Sequence, residues 1–384
     1  MKFLGLIFRN MTHSRRRTIL TILSIAVALF LFATLRTVLT AFNAAIEVAD
    51  DTRLIVRRST SLVFPLPVAY RDRIAGVNGV TAVSWGNWFG GIYQDPQKFF
   101  AKFGVDVDTY FDMYPELLLP PEQLAAFKAD RTGCVVGSGL AKKYGFKVGD
   151  TLPIVGTIYP YPDGNEWRFT VRGIYTPETP DVDDLSMYFN WDYLNQTMGD
   201  PGIVGFYIVK LADSGQTAVV GDRIDGLFAN SPYETKTETE AAFQAGFLSM
   251  IGNIGFLVSI IGAAIVFAIA LVTFNTMMMA ARERTKEIAV MKTLGFSDGS
   301  ILGLIVAEAT FISLIGGALG IGLATFLYWA TGFDLMGFVP SFLVKPATIG
   351  YGLLLSLGMG VLSGLIPALQ AARMPISRAL REGV

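Results

Sequence analysis

From residue 241 to residue 281 the chain carries no charged side chain. That run is about twice the roughly 20 apolar residues that cross a bilayer. The helix it forms is expected to project beyond the membrane at one end. Three more charge-poor runs follow the same rule, so four transmembrane helices are predicted, at 18–42, 247–281, 301–331 and 347–372. Arg36, near the outer end of the first, is placed to snorkel toward the headgroups. A chain that is 52% hydrophobic and 16% charged is too apolar for a soluble fold and too polar to lie wholly in lipid.

The polar remainder is gathered in one place. Residues 43–246 contain no membrane-length run and are long enough for one or two globular domains. Alternation predicts strands at 77–88, 168–175 and 202–211, with helices at 140–144 and 217–227. Their irregular order reads as α+β. The fold class is therefore an α-helical membrane protein with four transmembrane helices and an α+β extracytoplasmic domain inserted between helices 1 and 2.

Charge segregates with this division. Residues 43–246 hold 17 basic and 26 acidic side chains, a balance of −9, and the rest of the chain balances at +8. Basic clusters at 15–17, 282–292 and 373–381 flank the apolar runs. By the positive-inside rule they share the cytoplasmic side after four crossings. Both termini are then cytoplasmic, with an interfacial helix at 1–17 and a tail at 373–384. The domain at 43–246 and a short loop at 332–346 lie outside.

Several chemistries are excluded. The single histidine and single cysteine remove a disulfide framework and most histidine-based sites. Residues 135–139, V-V-G-S-G, lack the third glycine of a dinucleotide loop, and no Gly-Lys pair offers a P-loop. Asp181, Asp183 and Asp184 lack the alternation and distal glutamate of a calcium loop and read as a solvated loop. The aromatic residues between 85 and 103 read as core, and Cys134 reads as a buried small hydrophobe in a strand. No catalytic, cofactor-binding or metal residues are assigned.

The remaining candidate is the stretch 281–296, A-R-E-R-T-K-E-I-A-V-M-K-T-L-G-F. Ile288, Met291 and Leu294 recur at three-residue spacing, which predicts one apolar face on a short helix. Gly295 is placed to end it in a left-handed conformation, and Ser297 or Asp298 to cap the next helix. A basic loop can serve as a topology anchor alone. Mixed charge signs with an apolar stripe favour a docking helix. Beyond it, Gly316 with Gly320 and Gly360 with Gly364 are spaced for close helix packing. Glu308 is an acid inside a span, expected to pair with the basic loop or cap backbone.

Four spans, a large domain after the first, and R-x-x-E-I-x-x-x-K-x-L-G before the third resemble the MacB-like and FtsX-like permeases of ABC systems, the type VII or mechanotransmission family. The matching residues are Arg284, Glu287, Ile288, Lys292, Leu294 and Gly295, continued by Glu308 and the G-G-x-x-G of Gly316, Gly317 and Gly320. Ala289 stands where the family usually has glycine. The resemblance implies a homodimer in a bacterial inner membrane, with a separate ATPase subunit docked on Arg284, Glu287, Ile288, Met291, Lys292, Leu294 and Gly295. ATP and magnesium would sit on that partner and none on this chain. Motion would pass through the second span to the outside domain. Cargo in such systems is lipophilic or periplasmic, handed to a periplasmic adaptor and an outer-membrane channel or extracted from membrane lipids; nucleic acid has no place. FtsX-like members instead activate a cell-wall hydrolase. A secondary transporter would need more spans and more mid-membrane polar groups.

The topology is tested by reporter fusions. A reporter active only outside the cytoplasm should be active after residue 150 and silent after Val384, and the reverse pattern would overturn the arrangement.

Overall fold

The computed structural model describes residues 15–250, 254–331, 333 and 342–374. The expected interfacial helix, most of the loop at 332–346 and most of the tail lie outside the described residues. The chain divides into two compact units, one holding the long apolar helices and one holding residues 41–252.

In the first unit four helices are long and apolar enough to cross a membrane. They are Arg15–Glu47, Ile254–Glu283, Asp298–Thr331 and Pro346–Ala372. Position 247, where the second span is expected to begin, is helical and lies in Glu240–Met250; residues 251–253, between it and Ile254, lie outside the described residues. The third begins at Asp298 because Ser297 caps it, its Oγ accepting the Ser300 N–H at 3.3 Å. Pro346 opens the fourth at a position whose N–H would be unpaired anyway.

The helices approach closely where side chains are small. A Cβ on Gly320 would lie 2.1 Å from the Ala26 carbonyl oxygen, and one on Gly316 would lie 2.8 Å from Ile25 Cβ. Both glycines therefore press the third helix onto the first. Gly360 and Gly364 press the fourth onto the third, with 2.5 Å to Thr310 Cα and 2.7 Å to Ala309 Cβ. Without a hydrophobic drive between helices in lipid, such van der Waals contact carries the association.

The second unit is built on an eleven-stranded sheet. From one edge its main path runs Thr235–Thr239, Arg53–Arg58, Phe206–Leu211, Val80–Trp88, Lys102–Val105, Met187–Asn190, Gly133–Gly137, Trp167–Pro177, Thr151–Gly156 and Gly91–Ile92. Two pairings are parallel: Met187–Asn190 with Lys102–Val105, and Gly133–Gly137 with Trp167–Pro177. The strand Gly133–Gly137 is buried throughout. Its period of two sends Cys134 and Val136 to one core and Val135 to another. Burial, with Asp130 nearby, pushes the Cys134 thiol well above its ordinary pKa. Phe89 anchors the first of these cores, its ring meeting Trp167, Phe169 and Phe189 edge-on at 5.2–5.8 Å.

The acidic loop departs from the solvated reading. A Cβ on Gly137 would fall 2.0 Å from the Asp184 carbonyl oxygen, and one on Gly139 would fall 2.4 Å from its carboxylate. The glycines of V-V-G-S-G thus make room for Asp184, whose carbonyl accepts the Leu140 N–H at 3.0 Å. Asp183 is partly buried and accepts the Leu185 N–H, and burial raises its carboxyl pKa. This loop belongs to the packing of the domain.

Two cations are buried in the second unit. Arg53 donates to Glu240 at 2.7 Å, to Glu116 at 2.5 Å and to the Met113 carbonyl at 2.9 Å, with its guanidinium over the Tyr114 ring. Glu240 is the first residue of Glu240–Met250 and also accepts the Asp50 N–H at 3.2 Å. Asp50, three residues past the end of the first long helix, is thereby tied to the residue that opens Glu240–Met250. Lys102, 1% exposed, donates to the carbonyls of Gly91 and Phe100, and burial lowers its pKa to about 7.

Because the unfolded chain binds the Lys102 proton up to about pH 10 while the folded chain releases it near 7, stability should rise with pH across that window. One proton corresponds to about 1.4 kcal/mol per pH unit at full slope. Lys102→Met should therefore gain most over wild type at pH 7, and the gap in melting temperature should narrow by pH 9.5. A gap independent of pH would show that the lysine stays charged when folded.

Candidate functional site

Between the second and third membrane helices the chain forms the short helix Thr285–Thr293. Its ends follow from sequence. Arg284 leaves helical geometry at φ −96°, ψ 15°, which breaks the second helix from the short one. Gly295 adopts φ +92°, and the Gly295 and Phe296 N–H groups return to the carbonyls of Lys292 and Met291, both at 3.1 Å. This is a Schellman closure, which only glycine enters without strain.

The helix has two unlike faces. Ile288 is 3% exposed and packs with Ile301 and Ala371, with Met291 and Ile305 against them. The apolar stripe expected from three-residue spacing is therefore split. Ile288 and Met291 turn toward the third and fourth membrane helices, while Leu294, past the last helical turn, is 73% exposed. The outward face carries Glu287, Val290 at 53% exposure, Leu294 and Phe296. Val290 and Phe296 carried no signal in the three-residue stripe. A four-residue step, Val290 to Leu294, would have found the first.

The motif cations also turn inward. Arg284 Nη1 donates to both oxygens of Glu308, at 2.9 and 2.7 Å. Glu308 is buried on the third helix, so the intramembrane acid and the basic loop answer each other. An isolated charge here would be costly to bury. Lys292 Nζ donates to the carbonyls of Ala372 at 2.6 Å and Met374 at 3.0 Å, and lies 2.8 Å from Asp298. A cation on the last carbonyls of the fourth helix satisfies groups that the helix cannot pair itself. Glu283 pairs with Arg17 of the first helix. Each of the other three membrane helices thus receives a polar contact from the segment 283–292.

Residues 18–227 match the family model of the MacB-like periplasmic core domain, and residues 259–376 match that of the FtsX-like permease C-terminal region. The first match alone spans more than half of the chain. The protein belongs to the MacB-like, FtsX-like family of ABC transporter permeases. An uncharacterized ABC transporter permease of Methanocaldococcus jannaschii is 24% identical over 97% of this chain and 96% of its own length. The macrolide export ATP-binding/permease protein MacB of Salmonella typhimurium is 29% identical over 40% of this chain, but the match spans only 22% of that longer protein. The crystal structure of the periplasmic region of MacB from Actinobacillus actinomycetemcomitans aligns with 53% of this chain and 95% of its own, at 12% identity and a TM-score of 0.39. In this permease, then, an α+β domain of the MacB type is inserted between the first and second of four membrane helices, and the protein is a multi-pass membrane subunit.

The glycine contacts can be tested against a built-in control. Gly320→Ala and Gly360→Ala each place a methyl into backbone and should cost about 1–3 kcal/mol, seen as earlier thermal unfolding in detergent. Gly358→Ala, where nothing lies within 4 Å, should be neutral. Equal behaviour of all three would argue against these contacts.

Proposed function

We propose that this chain is a permease subunit that carries ATP-driven motion from a separate ATPase to its inserted domain, to export or extract a lipophilic or extracytoplasmic cargo. One observation carries the reading: a short helix, seated on the membrane helices by one face, turns Glu287, Val290, Leu294 and Phe296 outward. Exposed apolar side chains beside charge, on a helix that is otherwise anchored, are what a docking partner needs. Nucleotide and magnesium belong to the ATPase, since this sequence has no P-loop. The basic flanks support a cytoplasmic side for the short helix and both termini. A second copy of the chain would complete the transporter. The MacB-type domain favours a periplasmic adaptor and outer-membrane channel, or extraction from the membrane, over activation of a cell-wall hydrolase.

Docking residues should separate from scaffold residues. Leu294→Asp buries an unpaired charge in the proposed contact and should weaken ATPase association about a hundredfold, near 3 kcal/mol, while the chain stays folded. Glu287→Lys, a rim charge, should cost about 1 kcal/mol or less. Met291→Asp should instead lower the stability of the chain itself. Co-purification of the ATPase together with thermal unfolding of each variant distinguishes these effects. Full association with Leu294→Asp would remove the proposed docking face.

A further inference from the structure

Sequence alone points to the second membrane helix as the lever, because the short helix continues from it. The bonding places the short helix elsewhere. Toward the third helix it has the Arg284–Glu308 pair and the packing of Ile288 against Ile301. Toward the fourth it has Lys292 on the Ala372 and Met374 carbonyls, and Ala371 beside Ile288. The third and fourth helices are themselves in backbone-close contact at Gly360 and Gly364. The connection to the second helix runs through Arg284, where helical geometry lapses. Near that joint the second helix buries Thr273, Met277 and Ala280, and farther along it exposes Phe256, Leu257, Ile260, Phe267 and Leu271.

We infer that the short helix moves as one body with the third and fourth membrane helices, and that the joint at Arg284 takes up the bend relative to the second. Arg284, Lys292 and Glu308 are then positioning residues. A force applied at Leu294 meets ionic and packed contacts on two helices, and on the other side one non-helical residue spanned by the Thr285 hydroxyl bond to the Arg282 carbonyl at 2.7 Å. Packed interfaces of this kind shift as units because their contacts are discrete. This inference rests on the docking reading above, which supplies the force.

The test uses the full chain with its ATPase. The one native cysteine is buried, so spin labels can be placed on Thr293→Cys of the short helix, Leu323→Cys of the third helix and Phe267→Cys of the second. Distances are measured without nucleotide and with ATP trapped by vanadate. The 293–323 distance should stay fixed and the 293–267 distance should shift. With Glu308→Gln and Lys292→Met combined, the 293–323 distance should begin to shift with nucleotide. With the Arg284→Glu, Glu308→Arg exchange it should again stay fixed. A purely structural role for the pair would give misfolding in place of this rescue. A 293–323 distance that shifts in the wild type, or a 293–267 distance that does not, overturns the inference. Failure of the ATPase to co-purify with the wild-type chain would instead bring down the docking reading, and this inference with it.

Discussion

A carboxylate on a membrane helix has to meet a counter-charge or lose its own. Glu308 meets Arg284, and the surroundings of the candidate site depend on that pair. It draws the segment after the second helix onto the third, so that Ile288 finds Ile301 and Lys292 finds the end of the fourth helix. Without the pair, the short helix would keep its shape, closed by Gly295, but would lose a fixed address. Burying the charges is costly and the pairing offsets that cost only with good geometry. The single guanidinium nitrogen within 2.9 Å of both carboxylate oxygens supplies it.

The same device recurs in the inserted domain. Arg53, fully buried, gathers Glu116, Glu240 and a backbone carbonyl. Through Glu240 it brings Asp50 and the start of Glu240–Met250 to one point. Breaking a buried pair by removing one partner is far more disruptive than never having had it. Both units thus set an arginine against a buried glutamate where chain segments distant in sequence must be held in register. The aromatic core around Phe89 and the two-faced burial of Gly133–Gly137 supply the apolar remainder.

Much of this architecture is legible in the residues. Four apolar runs give four helices because a bilayer forbids unpaired backbone. Glycine at 295 ends the short helix because a left-handed residue was needed there. The V-V-G-S-G turn could be told from a nucleotide loop, though not that its glycines clear space for Asp184. The acidic loop departs from the solvated reading because the neighbours of Asp184, namely Gly137, Gly139 and Leu140, lie more than 40 residues away in sequence.

By itself the sequence determined the number of membrane helices, the position of the inserted domain and the place of the short helix. These follow from local composition, periodicity and backbone chemistry, which need no distant partner. Only the tertiary structure decided which face of the short helix is outward. Periodicity places Ile288, Met291 and Leu294 alike, but it cannot say which side the third and fourth helices will occupy. Arg284 and Glu308 are 24 residues apart and Lys292 and Ala372 are 80 apart. Those long-range bonds turn the motif cations inward and leave Val290, Leu294 and Phe296 exposed.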